Sequence, residues 1–249
     1  MSPDEIGRFA SGGLEFSFLN AYQPIIDSQS MAVYAYECLA RGPNNEPPSH
    51  LFKHLNADAL SPLDQAIREM AISRAVALGV DAPLTLNMGV SCLLSENNYL
   101  ERTFEHAAKV GFAVSDLIIE LSESDIIHGI PRLSDILTFI QRNGAIVALD
   151  DFGAGYAGLN SLIDVNPDVI KLDMYLIRGV DKSGTRQATI RALTALAADL
   201  GIDLIAEGVE TKSELQFLEA TGINLIQGFL FAAPGLCSLP QARHPDEPS

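Results

Sequence analysis

Short apolar segments alternate with longer segments of helical spacing along nearly the whole chain, and this alternation constrains the fold more than any other feature. The apolar segments are 33–39, 84–88, 117–121, 145–149, 169–172, 204–206 and 225–226. The longer segments between them include 62–78, 99–110, 130–142, 185–200 and 212–221. Strands and helices that alternate in this way predict an α/β fold built on a parallel sheet.

The length of the chain favours one arrangement of such a sheet. Eight strand–helix units in about 250 residues make a TIM-type (β/α)8 barrel, and this chain has 249 residues. An open, doubly wound sheet is the alternative. No GxGxxG motif follows an early strand, so the dinucleotide-binding form of that fold has little support.

The composition is that of a globular protein, with 47% hydrophobic and 19% charged residues. The formal net charge of −16 argues against a protein that coats DNA or RNA, since binding to a nucleic-acid polymer needs clustered Lys and Arg. A small phosphate-bearing substrate is still compatible with this charge, because bound divalent ions reverse the local field of an acidic pocket.

The cysteines and the chain start favour a cytoplasmic protein. The three cysteines show no CxxC spacing, which gives zinc chemistry no support, and their odd number is compatible with a reducing cytosol. The first residues lack the basic and apolar regions of a signal peptide. No apolar run of 18 residues occurs, so we expect no membrane span.

Polar side chains stand at the ends of the predicted strands. They are Glu37, Asn87, Glu120, Asp150, Asp151, Lys171, Asp173, Glu207 and Gln227. In a parallel barrel the carboxyl ends of the strands form the active-site rim, so these groups are expected to converge. A single carboxylate after a strand is more often a helix N-cap, but that explanation does not cover the whole series.

Converging carboxylates predict a site for divalent metal ions. Several carboxylates close together repel one another unless they take up protons or bind cations. Oxygen ligands favour Mg²⁺ or Mn²⁺ over zinc, and the adjacent pair Asp150 and Asp151 is suited to two neighbouring ions. Two-metal sites cleave phosphoesters with a metal-activated water. The pattern therefore predicts a metal-dependent hydrolase.

A series of short motifs adds a family resemblance. In chain order they are YQPI at 22–25, ECLAR at 37–41, LN at 86–87, ELSE at 120–123, DDFGAGY at 150–156, KLD at 171–173, AEGVET at 206–211 and QG at 227–228. Together they resemble the EAL-domain family of cyclic-di-GMP phosphodiesterases. The resemblance implies a barrel with one antiparallel strand and hydrolysis of cyclic-di-GMP to linear pGpG with two Mg²⁺ or Mn²⁺ ions.

The resemblance also implies roles for individual residues. Metal ligands would be Glu37, Asn87, Glu120 and Asp150 for one ion, and Asp150, Asp151 and Glu207 for the other. The catalytic group would be Glu37, Lys171, Glu207 and Asp173, with Lys171 orienting the hydrolytic water. Substrate contacts would be Gln23, Leu39, Arg41 and Gln227. A regulatory loop would involve Glu123, Phe152, Gly153, Gly155 and Tyr156, and Glu210 would support the site.

Some of these residues also have a simpler interpretation. Asp173 and Glu210 are suited to capping helices, and the two glycines to a turn with positive φ. The chain departs from the family pattern at Cys38, which replaces an alanine of the signature, and in the regulatory loop, where Ala154 and the pair at 157–158 replace common hydroxyl residues. These changes leave every predicted ligand in place but remove hydroxyl groups that would form hydrogen bonds in the loop.

The expected domain layout is an N-terminal extension at 1–15, an EAL domain at 16–238 and a flexible tail at 239–249. Three functions stay open: an active phosphodiesterase, a cyclic-di-GMP receptor without turnover, and an interaction module controlled by a separate sensor protein. The third rests on residues 41–44 and 150–160, which look like EAL domains found with blue-light BLUF sensors. The family resemblance also implies a homodimer.

Overall fold

The computed structural model describes residues 6–11, 14–52, 57–126, 130, 132–155 and 159–245. The strands are β1 Gly7–Ser11, β2 Leu14–Asp27, β3 Val33–Arg41, β4 Leu84–Asn87, β5 Leu117–Ser122, β6 Ile146–Phe152, β7 Val169–Leu172, β8 Asp203–Ala206, β9 Leu225–Ile226 and β10 Gly235–Leu236. The helices are α1 Pro48–Phe52, α2 Ala57–Ala77, α3 Val90–Leu93, α4 Tyr99–Lys109, α5 Leu133–Arg142, α6 Leu159–Val165, α7 Met174–Ile177, α8 Gly184–Leu200 and α9 Lys212–Ala220.

Strands β2 to β9 form a closed barrel of eight strands. Each pairs with the next in chain order, and β2 also pairs with β9 to close the ring. All neighbours from β3 to β9 are parallel, whereas β2 is antiparallel to both of its neighbours in the ring. The predicted TIM-type barrel with one antiparallel strand is therefore confirmed. Strands β1 and β10 pair with β2 as additional antiparallel strands.

A short hairpin makes β2 antiparallel to β3. Five residues, 28–32, connect the two strands, and the turn is held by Asp27, whose carboxylate accepts the N–H of Gln29 at 2.9 Å. A parallel connection needs a crossover of a dozen or more residues. The hairpin therefore fixes the direction of β2, a strand that apolar pattern alone did not identify.

The five helices predicted from spacing are observed with end shifts of a few residues, as α2, α4, α5, α8 and α9. Helix α9 begins at a capping box in which the Thr211 side chain accepts the N–H of Glu214. The short helices α1, α3, α6 and α7 were not predicted. Residues 42–47 form a loop between β3 and α1, and α1 begins at Pro48, where the missing N–H of proline costs no hydrogen bond.

The hydrophobic core has an inner and an outer part. Inside the barrel pack Ile25, Ala35, Ile118, Ala148, Val169 and Ile205, all buried. The outer core lies between strands and helices and includes Leu86, Ile119, Leu149 and Leu172. The two parts follow from the period of two along each strand, which sends neighbouring side chains to opposite faces.

Beyond β10 the chain still contacts the barrel. The Tyr36 hydroxyl donates to the carbonyl of Pro240 at 3.1 Å, and the N–H of Arg243 donates to the carbonyl of Phe231 at 3.0 Å. Part of the segment expected to be a flexible tail is thus packed in this structure. Among the helices in the described ranges, none is both long and apolar enough to cross a membrane.

Candidate metal centre

One layer of polar side chains lies directly above the inner core, at the carboxyl ends of the parallel strands. Each of its members follows an inward-facing residue of the same strand by two positions, and so points inward as well. The pairs are Ala35 and Glu37, Thr85 and Asn87, Ile118 and Glu120, Ala148 and Asp150, Val169 and Lys171, Ile205 and Glu207, and Leu225 and Gln227. The strand period therefore brings seven of the predicted residues together, and Asp151 and Asp173 reach the site in other ways.

Lys171 lies at the centre of this layer. Its ammonium Nζ is 2.8 Å from Glu120 Oε1, 2.8 Å from Glu207 Oε1 and 3.0 Å from Asp150 Oδ1. Glu37 Oε1 is 3.6 Å away. The lysine is fully buried, so its charge is stabilised by these carboxylates rather than by water.

The electrostatics of the layer reflect an excess of negative charge. Burial, followed by the neighbouring acids, raises the pKa of Glu207 to about 8 against the opposing effect of Lys171. Burial likewise raises the pKa of Glu120. Burial of Lys171 would lower its pKa, but the surrounding carboxylates outweigh it and raise the pKa of the ammonium. With a pKa of about 8, the Glu207 carboxyl favours its protonated form at neutral pH, and a bound divalent cation would replace that proton.

The carboxylates form two groups of three with one shared member. Ligand oxygens of Glu37, Glu120 and Asp150 lie within 4.8 Å of one another, and so do those of Asp150, Asp151 and Glu207. Both oxygens of Glu120 and Oδ1 of Asp150 are buried without a hydrogen-bond partner of good geometry. Oxygen-rich groups of this kind fit Mg²⁺ or Mn²⁺, and Asp150 belongs to both groups.

Asp151 reaches its place through an irregularity in β6. The register with β7 shifts between Leu149 and Phe152, and Asp151 adopts a positive φ of 56°. Because Asp150 points into the barrel, regular alternation would send the side chain of the following residue, Asp151, to the outer face. The irregularity is what keeps both carboxylates at the site. Burial, Asp150 and Asp173 together raise the pKa of Asp151 to about 6.

Two glutamines position Glu37. Gln227 Nε2 donates to Glu37 Oε2 at 2.6 Å and to Gln23 Oε1 at 3.4 Å. Gln23 in turn donates to the carbonyl of Ala232 at 3.1 Å. Both glutamines are buried. A ligand carboxylate held by a buried amide keeps its orientation, as is usual for residues that support metal ligands.

The segment after β6 is anchored by Glu123. This buried carboxylate accepts the N–H of Gly153 at 2.8 Å, and Gly155 lies so close that an added Cβ would be 3.1 Å from Glu123 Oε1. Phe152 is buried in the outer core. Glu123, Phe152, Gly153 and Gly155 are therefore brought together, while Tyr156 lies outside the described residues.

The other predicted residues lie around the carboxylate layer. Asn87 is next to Glu120 in the pairing of β4 with β5. Leu39 and Arg41 lie further along β3 than Glu37, with Arg41 about 13 Å beyond it at the usual rise of a strand. Asp173 caps α7 by accepting the N–H of Tyr175 at 2.7 Å, which is the simpler of its two interpretations.

The structure adds residues that the sequence patterns missed. A cavity of about 480 Å³ opens above the carboxylates, and its wall includes Met174, Arg178, Gly208 and Phe229. Arg178 forms a two-pronged ion pair with Glu210. Arg178 lies beyond α7 rather than at a strand end, so a search for polar strand ends does not find it.

A closed α/β barrel with a layer of carboxylates and one buried lysine at its carboxyl rim defines the class: a barrel protein with a candidate centre for two divalent metal ions. Residues 14–234 match the EAL domain family, so the match covers most of the chain. The chain belongs to the EAL domain family.

Relatives in sequence carry two kinds of name. The chain is 30% identical over 228 residues to the blue light- and temperature-regulated antirepressor BluF of Escherichia coli, covering 91% of this chain and 57% of BluF. It is 36% identical over 154 residues to the cyclic di-GMP phosphodiesterase PdeR of the same organism, covering 60% of this chain and 23% of PdeR. The chain thus spans little more than half of the one relative and about a quarter of the other.

Solved structures agree with the fold. A standalone versatile EAL protein from Vibrio cholerae O395, in its c-di-GMP-bound form, is 34% identical with a TM-score of 0.87, covering 92% of this chain and 97% of that chain. BlrP1 of Klebsiella pneumoniae, in a manganese and cy-diGMP complex, is 32% identical with a TM-score of 0.83, covering 88% of this chain and 56% of that chain.

Proposed function

We propose that this chain hydrolyses cyclic-di-GMP to linear pGpG with two bound Mg²⁺ or Mn²⁺ ions. The observation that carries the proposal is the pair of carboxylate groups that share Asp150 beside the buried Lys171. The names of the relatives support the same substrate, since PdeR is called a cyclic di-GMP phosphodiesterase and BlrP1 was solved with manganese and the dinucleotide.

The residues of the chain divide the work as follows. Glu37, Asn87, Glu120 and Asp150 would hold one ion, and Asp150, Asp151 and Glu207 the other. Bound divalent ions would supply the Lewis acidity that activates a water and neutralises the phosphodiester. Lys171, held by Glu120 and Glu207, directs a positive charge at the place where negative charge develops during the reaction. Asp173 orders the start of α7 next to Asp151.

The substrate would enter through the cavity above these residues. Gln23 and Gln227 line this cavity. Gln227 donates to both Glu37 and Gln23, so the two glutamines would affect the substrate by orienting the Glu37 carboxylate. Leu39 and Arg41 lie along β3 beyond Glu37 and are not among the described wall residues of this cavity, so we propose them as further substrate contacts next to it. A guanidinium is suited to a forked contact with phosphate or with the edge of guanine.

The direct test is a nucleotide assay with the purified protein, cyclic-di-GMP and Mg²⁺, Mn²⁺ or EDTA, beside the variants Glu37→Ala and Glu105→Ala. We expect pGpG to appear with either metal, to be absent with EDTA and to be lost in Glu37→Ala. Glu105 is exposed on α4, away from the site, so its removal should leave the rate unchanged. Turnover that survives the loss of Glu37 would contradict the proposal.

A receptor or interaction module is the second candidate, and the name of BluF as an antirepressor favours it. In this case the protein would bind cyclic-di-GMP without releasing product, or would turn it over only with a separate sensor protein, such as a BLUF protein. The assay above separates the candidates: binding without pGpG, in the presence of Mn²⁺, supports the receptor. Product formed by the protein alone supports the enzyme.

The proposal extends to the setting and assembly of the protein. We infer a catalytic domain at 16–238, a cytoplasmic location and a homodimer. Helix α6 supports the homodimer, because Leu159 and Ile163 are 58% and 76% exposed on one face, four residues apart. This face directly follows the loop that Glu123 anchors, so a dimer contact there would lie next to the metal centre.

A further inference from the structure

The cavity above the metal centre is acidic except for one side chain. Its charged wall residues are Glu37, Asp150, Asp151, Asp173, Glu207, Glu210 and Arg178. Arg178 is the single cation among the wall residues that the structure describes, with Lys171 buried beneath them. A cyclic dinucleotide carries two phosphodiester charges, and only one of them can lie at the metal centre. The other needs a cation elsewhere in this acidic cavity.

The guanidinium of Arg178 is already arranged to hold a two-oxygen anion. Nη1 and Nη2 contact the two carboxylate oxygens of Glu210, one each. This fork fits two non-bridging phosphate oxygens equally well. The side chains of Arg178 and Glu210 are 33% and 38% exposed, so solvent reaches the pair and screens its attraction in spite of the forked geometry. A phosphate that enters the cavity can therefore displace the carboxylate.

One buried carboxylate fixes the backbone on both sides of this pair. Glu214 accepts the N–H of Gly179 at 2.8 Å, immediately after Arg178. It also accepts the N–H groups of Glu210 at 3.2 Å and Thr211 at 3.0 Å. The position of Arg178 is thus set before any ligand arrives, which lowers the entropic cost of binding.

Gly208 brings the arginine close to the metal centre. It follows the candidate ligand Glu207 and has a φ of 67°, a conformation that suits glycine. A Cβ added there would lie 2.6 Å from Cβ of Met174 and 3.6 Å from Nε of Arg178. The Arg178 side chain therefore lies over the backbone one residue beyond Glu207, within the span of a single dinucleotide.

We propose that Arg178 binds the phosphodiester of the cyclic dinucleotide that lies away from the metal centre, and that Glu210 occupies the same guanidinium fork until the substrate displaces it. This inference rests on the proposed function. Arg178 is then a substrate-binding residue and Glu210 its internal competitor. Their removal has opposite effects on affinity, whereas two halves of a purely structural ion pair would have the same effect.

The test measures binding of cyclic-di-GMP by calorimetry in EDTA, and KM and kcat with Mn²⁺, for the wild type, Arg178→Met, Arg178→Lys and Glu210→Gln. We expect Arg178→Met to weaken binding and raise KM by about tenfold or more. Arg178→Lys keeps the charge but not the forked guanidinium, so its affinity for cyclic-di-GMP should lie between those of Arg178→Met and the wild type. Glu210→Gln should tighten binding by about two- to fivefold. Arg191→Met, an exposed arginine on α8, is the matched control with unchanged binding.

The outcomes separate this inference from the function on which it rests. If the wild type neither binds nor hydrolyses cyclic-di-GMP, both are overturned. If the wild type binds and hydrolyses cyclic-di-GMP and Arg178→Met binds it equally well, this inference alone is overturned. The same holds if Arg178→Met and Glu210→Gln both weaken binding. Circular dichroism of each variant identifies any loss of folding. If Arg178→Met does not fold, the affinities of the other two variants decide: tighter binding by Glu210→Gln and weaker binding by Arg178→Lys support the inference, and any other result overturns it.

Discussion

At the residue scale, the contact between Gln227 and Glu37 shows how a candidate ligand is supported. The amide of Gln227 donates to the carboxylate at 2.6 Å, and both side chains are buried. Substitution by Leu keeps the volume but removes the donor. We expect kcat, or the affinity for Mn²⁺, to fall by about 10- to 100-fold in Gln227→Leu.

The matched control for that prediction is Gln141→Leu, which changes an exposed glutamine on α5 far from the carboxylate layer. Steady-state rates over a Mn²⁺ titration measure both quantities. A Gln227→Leu variant with wild-type rate and wild-type metal dependence would show that Glu37 needs no such support.

The raised pKa values at the centre predict how the metal-free protein responds to pH. The pKa of Asp151 is about 6 and that of Glu207 about 8, both above the ordinary value for the unfolded chain. Between the ordinary pKa of each carboxyl and its raised value, the folded state holds more protons than the unfolded chain. Stability present at pH 4 to 5 is therefore lost as the pH rises through 6 and 8. In EDTA, the free energy of unfolding should fall over this range.

Urea denaturation at pH 5, 6, 7 and 8, with EDTA or with Mn²⁺, checks this expectation. Because a metal ion displaces the same protons, Mn²⁺ should stabilise the protein more at pH 8 than at pH 5. Glu207→Gln should show a smaller loss between pH 6 and 8. Stability in EDTA that rises from pH 5 to pH 8 would contradict the prediction.

At the scale of elements, Glu123 couples the end of β5 to the loop after β6. Its buried carboxylate accepts the N–H of Gly153, and the loop continues into α6. Glu123→Ala leaves this N–H without its acceptor, which costs about 1–3 kcal/mol. We expect faster amide hydrogen exchange at 151–159 and a lower rate of pGpG formation.

Ser124→Ala, in the same 3₁₀ turn, is the control for Glu123→Ala, since its side chain is exposed and bonds only Ser122 among the described contacts. Exchange should increase in the loop and stay unchanged in the strands of the barrel. If Glu123→Ala exchanges like the wild type at 151–159, the carboxylate does not order the loop.

At the scale of the whole molecule, the exposed face of α6 is the surface proposed for the homodimer. Ile163 is 76% exposed, and a charge placed there in an apolar contact would be desolvated without a partner. We expect Ile163→Asp to be monomeric at concentrations where the wild type is dimeric, as measured by light scattering after gel filtration.

The control is Leu200→Asp, which changes another exposed apolar residue, 52% exposed at the end of α8. Asp164, next to Ile163, is not used because it has other contacts. Leu200→Asp should leave the oligomeric state unchanged. A wild type that is monomeric at high concentration would refute the homodimer. If Ile163→Asp dimerises as well as the wild type, the dimer contact does not include this face of α6.

Much of the fold and of the metal centre was predictable because both depend on local periodicity. The apolar runs 84–88, 117–121 and 169–172 correspond to β4, β5 and β7, and the polar residues after them point inward by the alternation of a strand. The long strand β2 and the short helices were not found from this pattern. Helices of four to seven residues, such as α6 and α7, carry too few turns to show a helical period.

The sequence by itself determined strands β3 to β9, the five longer helices, the residues that end those strands and the family motifs, since each is written in neighbouring positions. Only the tertiary structure decided that Lys171 lies among four carboxylates, that Gln227 holds Glu37 and that Arg178 faces the cavity while paired with Glu210. These contacts join residues of different strands and loops. Ring closure between β2 and β9 brings such residues together, and spacing along the chain contains no direct record of that closure.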